Sequence, residues 1–142
     1  MARRQFALAI HTLVMLARSP ESTTSSALAG SINADATGLR RMLSVLGQAG
    51  LVQASEGRDG GYRLAMPAQC ISLADIYTAL AKEPLLNSYR YGEEAHCPIS
   101  AAMGPALSKI VADAEARFQE ELSKKSLAEI AGQVDSVASW LH

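Results

Sequence analysis

Phe6, Ile10, Leu13, Val14 and Ala17 recur at three- and four-residue intervals, the spacing that gathers apolar side chains on one face of an α-helix. A helix is predicted from about residue 3 to 18, stopping before Pro20, which cannot continue it. His11 borders the apolar stripe and is expected as a partnered histidine at the edge of the core. The hydroxyl-rich stretch Ser22 to Ser26 can cap a second, short helix carrying Ala27, Leu28, Ala29 and Ile32. Asn33-Ala34-Asp35 reads as a turn followed by a new N-cap, opening a third helix with Leu39, Met42, Leu43 and Leu46 in one stripe. Gly50 suits the left-handed conformation that closes such a helix. Short helix, tight turn and longer helix form a helix-turn-helix pattern.

The period changes after Gly50. Residues 51–55 and 61–65 are strand-like runs, and Glu56-Gly57-Arg58-Asp59-Gly60 between them is a turn, so a hairpin is predicted. Pro67 closes it. Ser72 caps a fourth helix with Leu73, Ile76, Tyr77 and Leu80 on one face, expected to end at Pro84. Residues 84–97 have no clean period and read as a loop. A long helix follows from about Pro98 to Lys125, with Met103, Leu107, Ile110, Val111, Ala114, Phe118 and Leu122 as apolar positions. It outreaches the core of so small a chain, so a second copy is expected to cover part of its stripe. A short closing helix is predicted at Leu127 to Gln133, and Trp140 and Leu141 are expected to anchor the end. The fold class is mainly α with a small β-hairpin: a winged helix-turn-helix in residues 1–69, then a linker helix, sensor loop and dimerisation helices in residues 70–142.

Composition narrows the functional classes. At 142 residues and 49% hydrophobic content, one domain can remove roughly 70% of its unfolded surface on folding, which excludes disorder and a disulfide-stapled scaffold. The net charge of −1 hides a division. Residues 1–69 carry seven Arg against Glu21, Asp35, Glu56 and Asp59, a surplus of three positive charges, whereas residues 70–142 carry six basic against ten acidic groups. The basic half is where a polyanion would be met. Arg3-Arg4 before an apolar stretch has ingredients of an export signal, but His11 and Thr12 interrupt it, no Ala-x-Ala follows, and its period is helical. No run approaches a membrane span. A cytoplasmic protein with Cys70 and Cys97 reduced is expected.

Helix-turn-helix plus hairpin is the winged-helix arrangement, in which the third helix lies in the DNA major groove. Thr37, Arg40, Arg41 and Ser44 are its outward polar groups, able to bond base edges or phosphates. Arg58 at the hairpin tip would reach the minor groove or adjacent phosphates, and Arg3 and Arg4 are further candidate phosphate contacts. A merely solvated face, or a winged helix used only for protein contact, is the competing explanation; arginines on both DNA-facing tips weigh against it. Catalysis by Cys97 with His96 lacks an orienting third group, and there is no phosphate loop or metal-binding spacing, so no enzyme is expected.

The chain resembles the Rrf2 family of bacterial winged-helix transcription regulators. The resemblance is carried by residues 39–52 (LRRMLSVLGQAGLV), Gly60-Gly61-Tyr62-Arg63-Leu64-Ala65, Ile71-Ser72-Leu73-Ala74-Asp75-Ile76-Tyr77, Cys97-Pro98-Ile99 and Ser126-Leu127-Ala128-Glu129-Ile130. Within the family it is closest to the YwnA-like subgroup that lacks the three-cysteine cluster motif. The resemblance implies a homodimer, joined through the long helix, on a near-palindromic operator, with repression the expected sense. Two departures stand out. The family's wing arginine position is Glu56 here, with arginine at 58. Of the three cluster cysteines only Cys97 remains, and the other two positions are Tyr91 and Leu85.

Three roles stay open for Cys97. A cluster is held by several thiolates, so Cys97 with His96 and Glu93 or Glu94 is a poor set, and no cofactor is expected. Near a helix N-terminus the thiol could ionise readily and sense oxidants or electrophiles, with His96 beside it. Third, Cys97 could simply pack beneath the helix start. Tyr77, Tyr89, Tyr91 and Met103 could line a pocket for an unidentified small effector, or belong to the core.

Overall fold

A computed structural model describes residues 2–81 and 97–139. The helices are α1 (Ala2–Arg18), α2 (Ser25–Ile32), α3 (Ala36–Gln48), α4 (Leu73–Leu80), α5 (Pro98–Ser123) and α6 (Leu127–Ala138), with strands β1 (Val52–Ser55) and β2 (Gly61–Leu64) between α3 and α4.

Their ends follow from local chemistry. Thr24 Oγ1 accepts from the Ala27 N–H at 3.1 Å and Asp35 Oδ2 from the Gly38 N–H at 2.8 Å, each satisfying an otherwise orphaned donor at the start of α2 or α3. Asn33 takes a left-handed conformation between these helices, φ 51°, which its short polar side chain tolerates. Gly50, at φ 79°, turns the chain from α3 into β1, a conformation costly to any residue with a Cβ. Ser72 and Asp75 cap α4 reciprocally, both bonds at 3.0 Å, as a capping box does.

One core joins these elements. Ala9, Leu13 and Leu16 of α1, Leu28 of α2, Leu39, Leu43 and Leu46 of α3, Ile71 and Ile76 around α4, and Leu127 of α6 form one buried cluster. The face of α1 turned inward differs from the predicted stripe. Thr12 is fully buried beside Leu13, its hydroxyl donating to the Leu8 carbonyl at 2.8 Å, so its own helix satisfies the one polar group. His11 is consequently exposed, not at the core edge.

The strands pair antiparallel, Val52 opposite Leu64 and Ser55 opposite Gly61. The hairpin is moored close to its turn: Thr23 N–H donates to Tyr62 O at 2.9 Å and Tyr62 N–H to Thr23 O at 2.8 Å. A Cβ on Gly61 would lie 2.6 Å from the Thr23 carbonyl oxygen, so only glycine allows this approach.

The second half is tied to the first by backbone. Leu73 N–H donates to Lys125 O at 2.9 Å and Leu127 N–H to Ile71 O at 2.8 Å, setting the starts of α4 and α6 side by side. Arg18 and Asp135 pair at 3.1 Å with both side chains about half exposed, a contact worth little to stability. Two boundaries differ from expectation. α4 stops at Leu80, where Ala81 is already extended, before Pro84 is reached. α6 continues to Ala138 instead of stopping at Gln133; Gly132 lies inside it without breaking it. Trp140 and Leu141 fall outside the described residues, as does the stretch 82–96.

Candidate nucleic-acid interface

α3 has two unlike faces. Leu39, Met42, Leu43 and Leu46 are buried, while Thr37, Arg40, Arg41 and Ser44 are all exposed. Asp35 fixes the start of this helix, and the i, i+3, i+4 leucine pattern fixes its rotation, so the polar row is aimed outward by the same residues that build the core. At the hairpin tip, Glu56, Gly57, Arg58 and Asp59 are exposed, with the turn closed by Gly60 N–H donating to Gly57 O at 3.1 Å.

Two of the other arginines are engaged within the chain. Arg18 is paired with Asp135, and Arg63 Nε donates to Gln53 Oε1 at 3.2 Å across the hairpin. Among the described residues, Arg40, Arg41 and Arg58 enter no ion pair or side-chain hydrogen bond. Arg40 and Arg41 stand on a helix with no acidic residue of its own, so its outward face is positive, while at the wing tip Arg58 lies between Glu56 and Asp59. Arg4 is exposed on α1, and Arg3 lies in α1 with its side chain outside the described residues.

Helix and wing meet in a groove of about 430 Å³ lined by Leu43, Ser44, Gly47, Gln48, Val52, Ala54 and Tyr62. Of these, sequence reasoning singled out only Ser44. The four-residue spacing of Ser44 and Gln48 on one helix face was the available signal for Gln48; Tyr62 stood in the Gly-Gly-Tyr motif, but its place in the groove comes through the hairpin register.

The sensor candidates are partly placed. Cys97 is exposed and caps the start of α5, which excludes the expectation that it packs beneath the helix start. The backbone N–H groups of Ser100 and then Ile99 hold its thiol below the ordinary value, helped by the Ser100 hydroxyl and opposed by slight desolvation. No N–H closes a full hydrogen bond to the sulfur, so the effect is that of donors pointing at a partial negative charge. His96, Glu93, Glu94, Tyr89, Tyr91 and Leu85 lie outside the described residues.

Tyr77 belongs to the core. It is 4% exposed, with its ring edge-on to Phe6 of α1 at 5.8 Å and to Phe118 of α5 at 5.2 Å. Its hydroxyl donates to Glu115 Oε1 at 2.7 Å. Burial, then the bond to Glu115, pushes the phenol up to about 12. Met103 is half-buried in α5.

Sequence and fold converge with known proteins. The profile of the Rrf2 family, described as iron-dependent transcriptional regulator, matches residues 2–133. The chain belongs to the Rrf2 family. It is 29% identical over 130 residues to YwnA of Bacillus subtilis, named as an HTH-type transcriptional regulator, covering 92% of this chain and 96% of that one. A crystal structure from Lactobacillus plantarum, titled as a transcriptional regulator, superposes with a TM-score of 0.82 at 21% identity over 99% of this chain and 95% of that one. CymR, the global cysteine regulator of B. subtilis, gives 0.65 at 22% identity over 94% and 95%. At such identities the two structures establish the fold. As a member of this family the chain is a transcription regulator and not an enzyme. Among the described residues no helix is long and apolar enough to cross a membrane.

The family description names iron, and the described donors do not fit an iron or cluster site: among the described residues no three His, Cys, Asp or Glu converge, and the thiols of Cys70 and Cys97 are both exposed and unpaired.

Proposed function

We propose that this Rrf2 regulator acts as a homodimer on a near-palindromic operator and represses there. α3 enters the major groove, Arg40 and Arg41 read or hold it with Thr37 and Ser44 beside them, and Arg58 carries the wing to the minor groove. Arg3 and Arg4 add phosphate contacts from α1. The observation that carries this is the set of unpaired, exposed guanidiniums on α3 and the wing tip, opposite the face that builds the core. The functional division falls at about residue 69: the positive surplus lies in the winged helix, and the acidic excess of residues 70–142 is repelled by DNA, which helps orient the winged helix toward it.

The dimer is supported by α5. None of its 26 residues is buried, and Ile99 and Ile110 are 73% and 64% exposed. A helix of that length, clothed on so little of its surface, is completed by a second copy. As the signal, an oxidant or electrophile acting at Cys97 is supported by the exposure and lowered pKa of that thiol.

Arg40→Ala and Arg41→Ala test the assignment on a duplex recovered from a random-sequence library by the wild-type chain. Each lost phosphate contact lowers the slope of log affinity against log salt by about one, whereas a lost base contact relaxes preference at one position. Unchanged affinity and slope in both variants would sink the proposal.

A further inference from the structure

The groove between the second half of α3 and the wing has a composition that the core does not explain. Buried Leu43 and Val52 make its floor, and Ser44, Gly47 and Gln48 on one side face Ala54 and Tyr62 on the other. Among the described residues, Ser44, Gln48 and the Tyr62 hydroxyl engage in no side-chain hydrogen bond. Three residues with donor groups that no side-chain partner engages thus line one open space, and no carboxylate lines it. Gly47 adds a second anomaly. Glycine inside a helix is less stable than alanine, yet a Cβ here would meet only the Val52 carbonyl oxygen at 3.7 Å, an ordinary contact. The chain's own packing does not require the missing side chain.

We propose that this groove seats one sugar–phosphate strand of duplex DNA, with Ser44, Gln48 and the Tyr62 hydroxyl donating to its phosphate oxygens and Gly47 leaving the width the strand needs. The proposal rests on the DNA-binding function above. If α3 occupies the major groove and the wing the neighbouring minor groove, the strand separating the two grooves must cross between α3 and the wing. Phosphate oxygens are acceptors only, and the groove offers hydroxyl, amide and phenol donors. Arg41 and Arg58, on the two elements that form it, attract the strand; the neutral donors fix where it lies.

That division of labour has a measurable signature. Neutral donors release no counterions, so removing them weakens binding without changing its salt dependence, unlike removal of an arginine. With the library-selected duplex as probe, Gln48→Ala and Tyr62→Phe are each expected to weaken binding about three- to tenfold, one hydrogen bond's worth, along salt lines parallel to wild type. Gly47→Leu is expected to weaken it by about tenfold or more while melting no lower than wild type, because the new side chain fills the groove and removes a helix glycine. If Gly47→Leu fails to fold, Tyr62→Phe, which deletes a single oxygen, decides together with Gln48→Ala. Wild-type affinity in these variants, with Arg41→Ala still impaired, overturns the groove and leaves the DNA function standing. Failure of the wild-type chain to select any duplex overturns both.

Discussion

α3 and α5 are both amphipathic helices of one chain, and they solve the burial problem in opposite ways. α3 sets four residues into the core within 13 and leaves its charged row free, whereas α5 runs 26 residues without burying one. A helix that finds its apolar partner inside its own chain has its rotation fixed, and hence the direction of its outward side chains. A helix that does not is left with an apolar surface to be covered from outside. The contrast separates what this protein presents to DNA from what it presents to another copy of itself.

The largest effect should come from breaking the inward side of that contrast. Leu46 is fully buried at the junction of α3 with β1, so Leu46→Ala is expected to cost about 2–5 kcal/mol in denaturant unfolding. Ile110→Asp, on the exposed face of α5, should leave the stability of the isolated chain within about 0.5 kcal/mol. It should instead abolish the dimer in sedimentation and, with it, the concentration dependence of the melting temperature that an associating chain shows. Equal loss of chain stability in the two variants would mean that the two helices are not as different as their burial indicates.

Tyr77 adds a side-chain link between the regions to the backbone bonds at the starts of α4 and α6. Its hydroxyl bonds Glu115 of α5 while its ring is held by Phe6 of α1, so it fastens the long helix to the winged-helix core. Because its folded pKa, about 12, lies above the ordinary 10.0, folding favours the protonated phenol. The stabilisation is therefore complete below pH 10 and is lost as pH rises toward and through 12, amounting to about 1–3 kcal/mol. Tyr77→Phe should lose about 1 kcal/mol at neutral pH and should show a shallower alkaline decline than wild type in unfolding measured from pH 9 to 12. A variant whose alkaline decline matches wild type would show that Tyr77 does not carry this linkage.

Much of the α3 side was legible in the sequence because its signals are local. Asp35 three residues before Gly38, Gly50 at the helix end and the Gly-rich turn at 56–60 each specify a conformation through bonds spanning a few residues. The α5 side was less legible because its determinants are distant or missing. The Tyr77–Glu115 bond spans 38 positions and has no periodic signature. α6 outran its expected end because Ile130, Val134 and Val137 carry the helical spacing past Gly132, which lies inside the helix without breaking it. α1 was misrotated for a third reason: apolarity alone does not show that Thr12 can be buried by bonding its own helix. Asp35→Ala probes the local kind of determinant and should cost about 1 kcal/mol, read as a lower melting temperature with the groove and wing intact. No loss would mean that the α3 start is held by tertiary packing instead of its cap.

The smallest stability effect, and the most selective test of the α5 side, lies at Cys97. The side chain is exposed, so Cys97→Ser should change unfolding free energy by less than about 0.5 kcal/mol. Its chemistry should change with folding all the same, because the N–H groups of Ser100 and Ile99 that lower its pKa are gathered around the sulfur only when α5 forms. The thiolate is the reacting species, so in a Cys70→Ser background alkylation of Cys97 should fall off at lower pH in the folded chain than in denaturant. Coincident pH profiles would show that the α5 start does not activate this thiol, and would leave α5 with dimerisation as its whole role. Separated profiles would place a reactive sulfur at the head of the helix proposed to join two copies, where a modification bears on the interface without touching the core that aims α3.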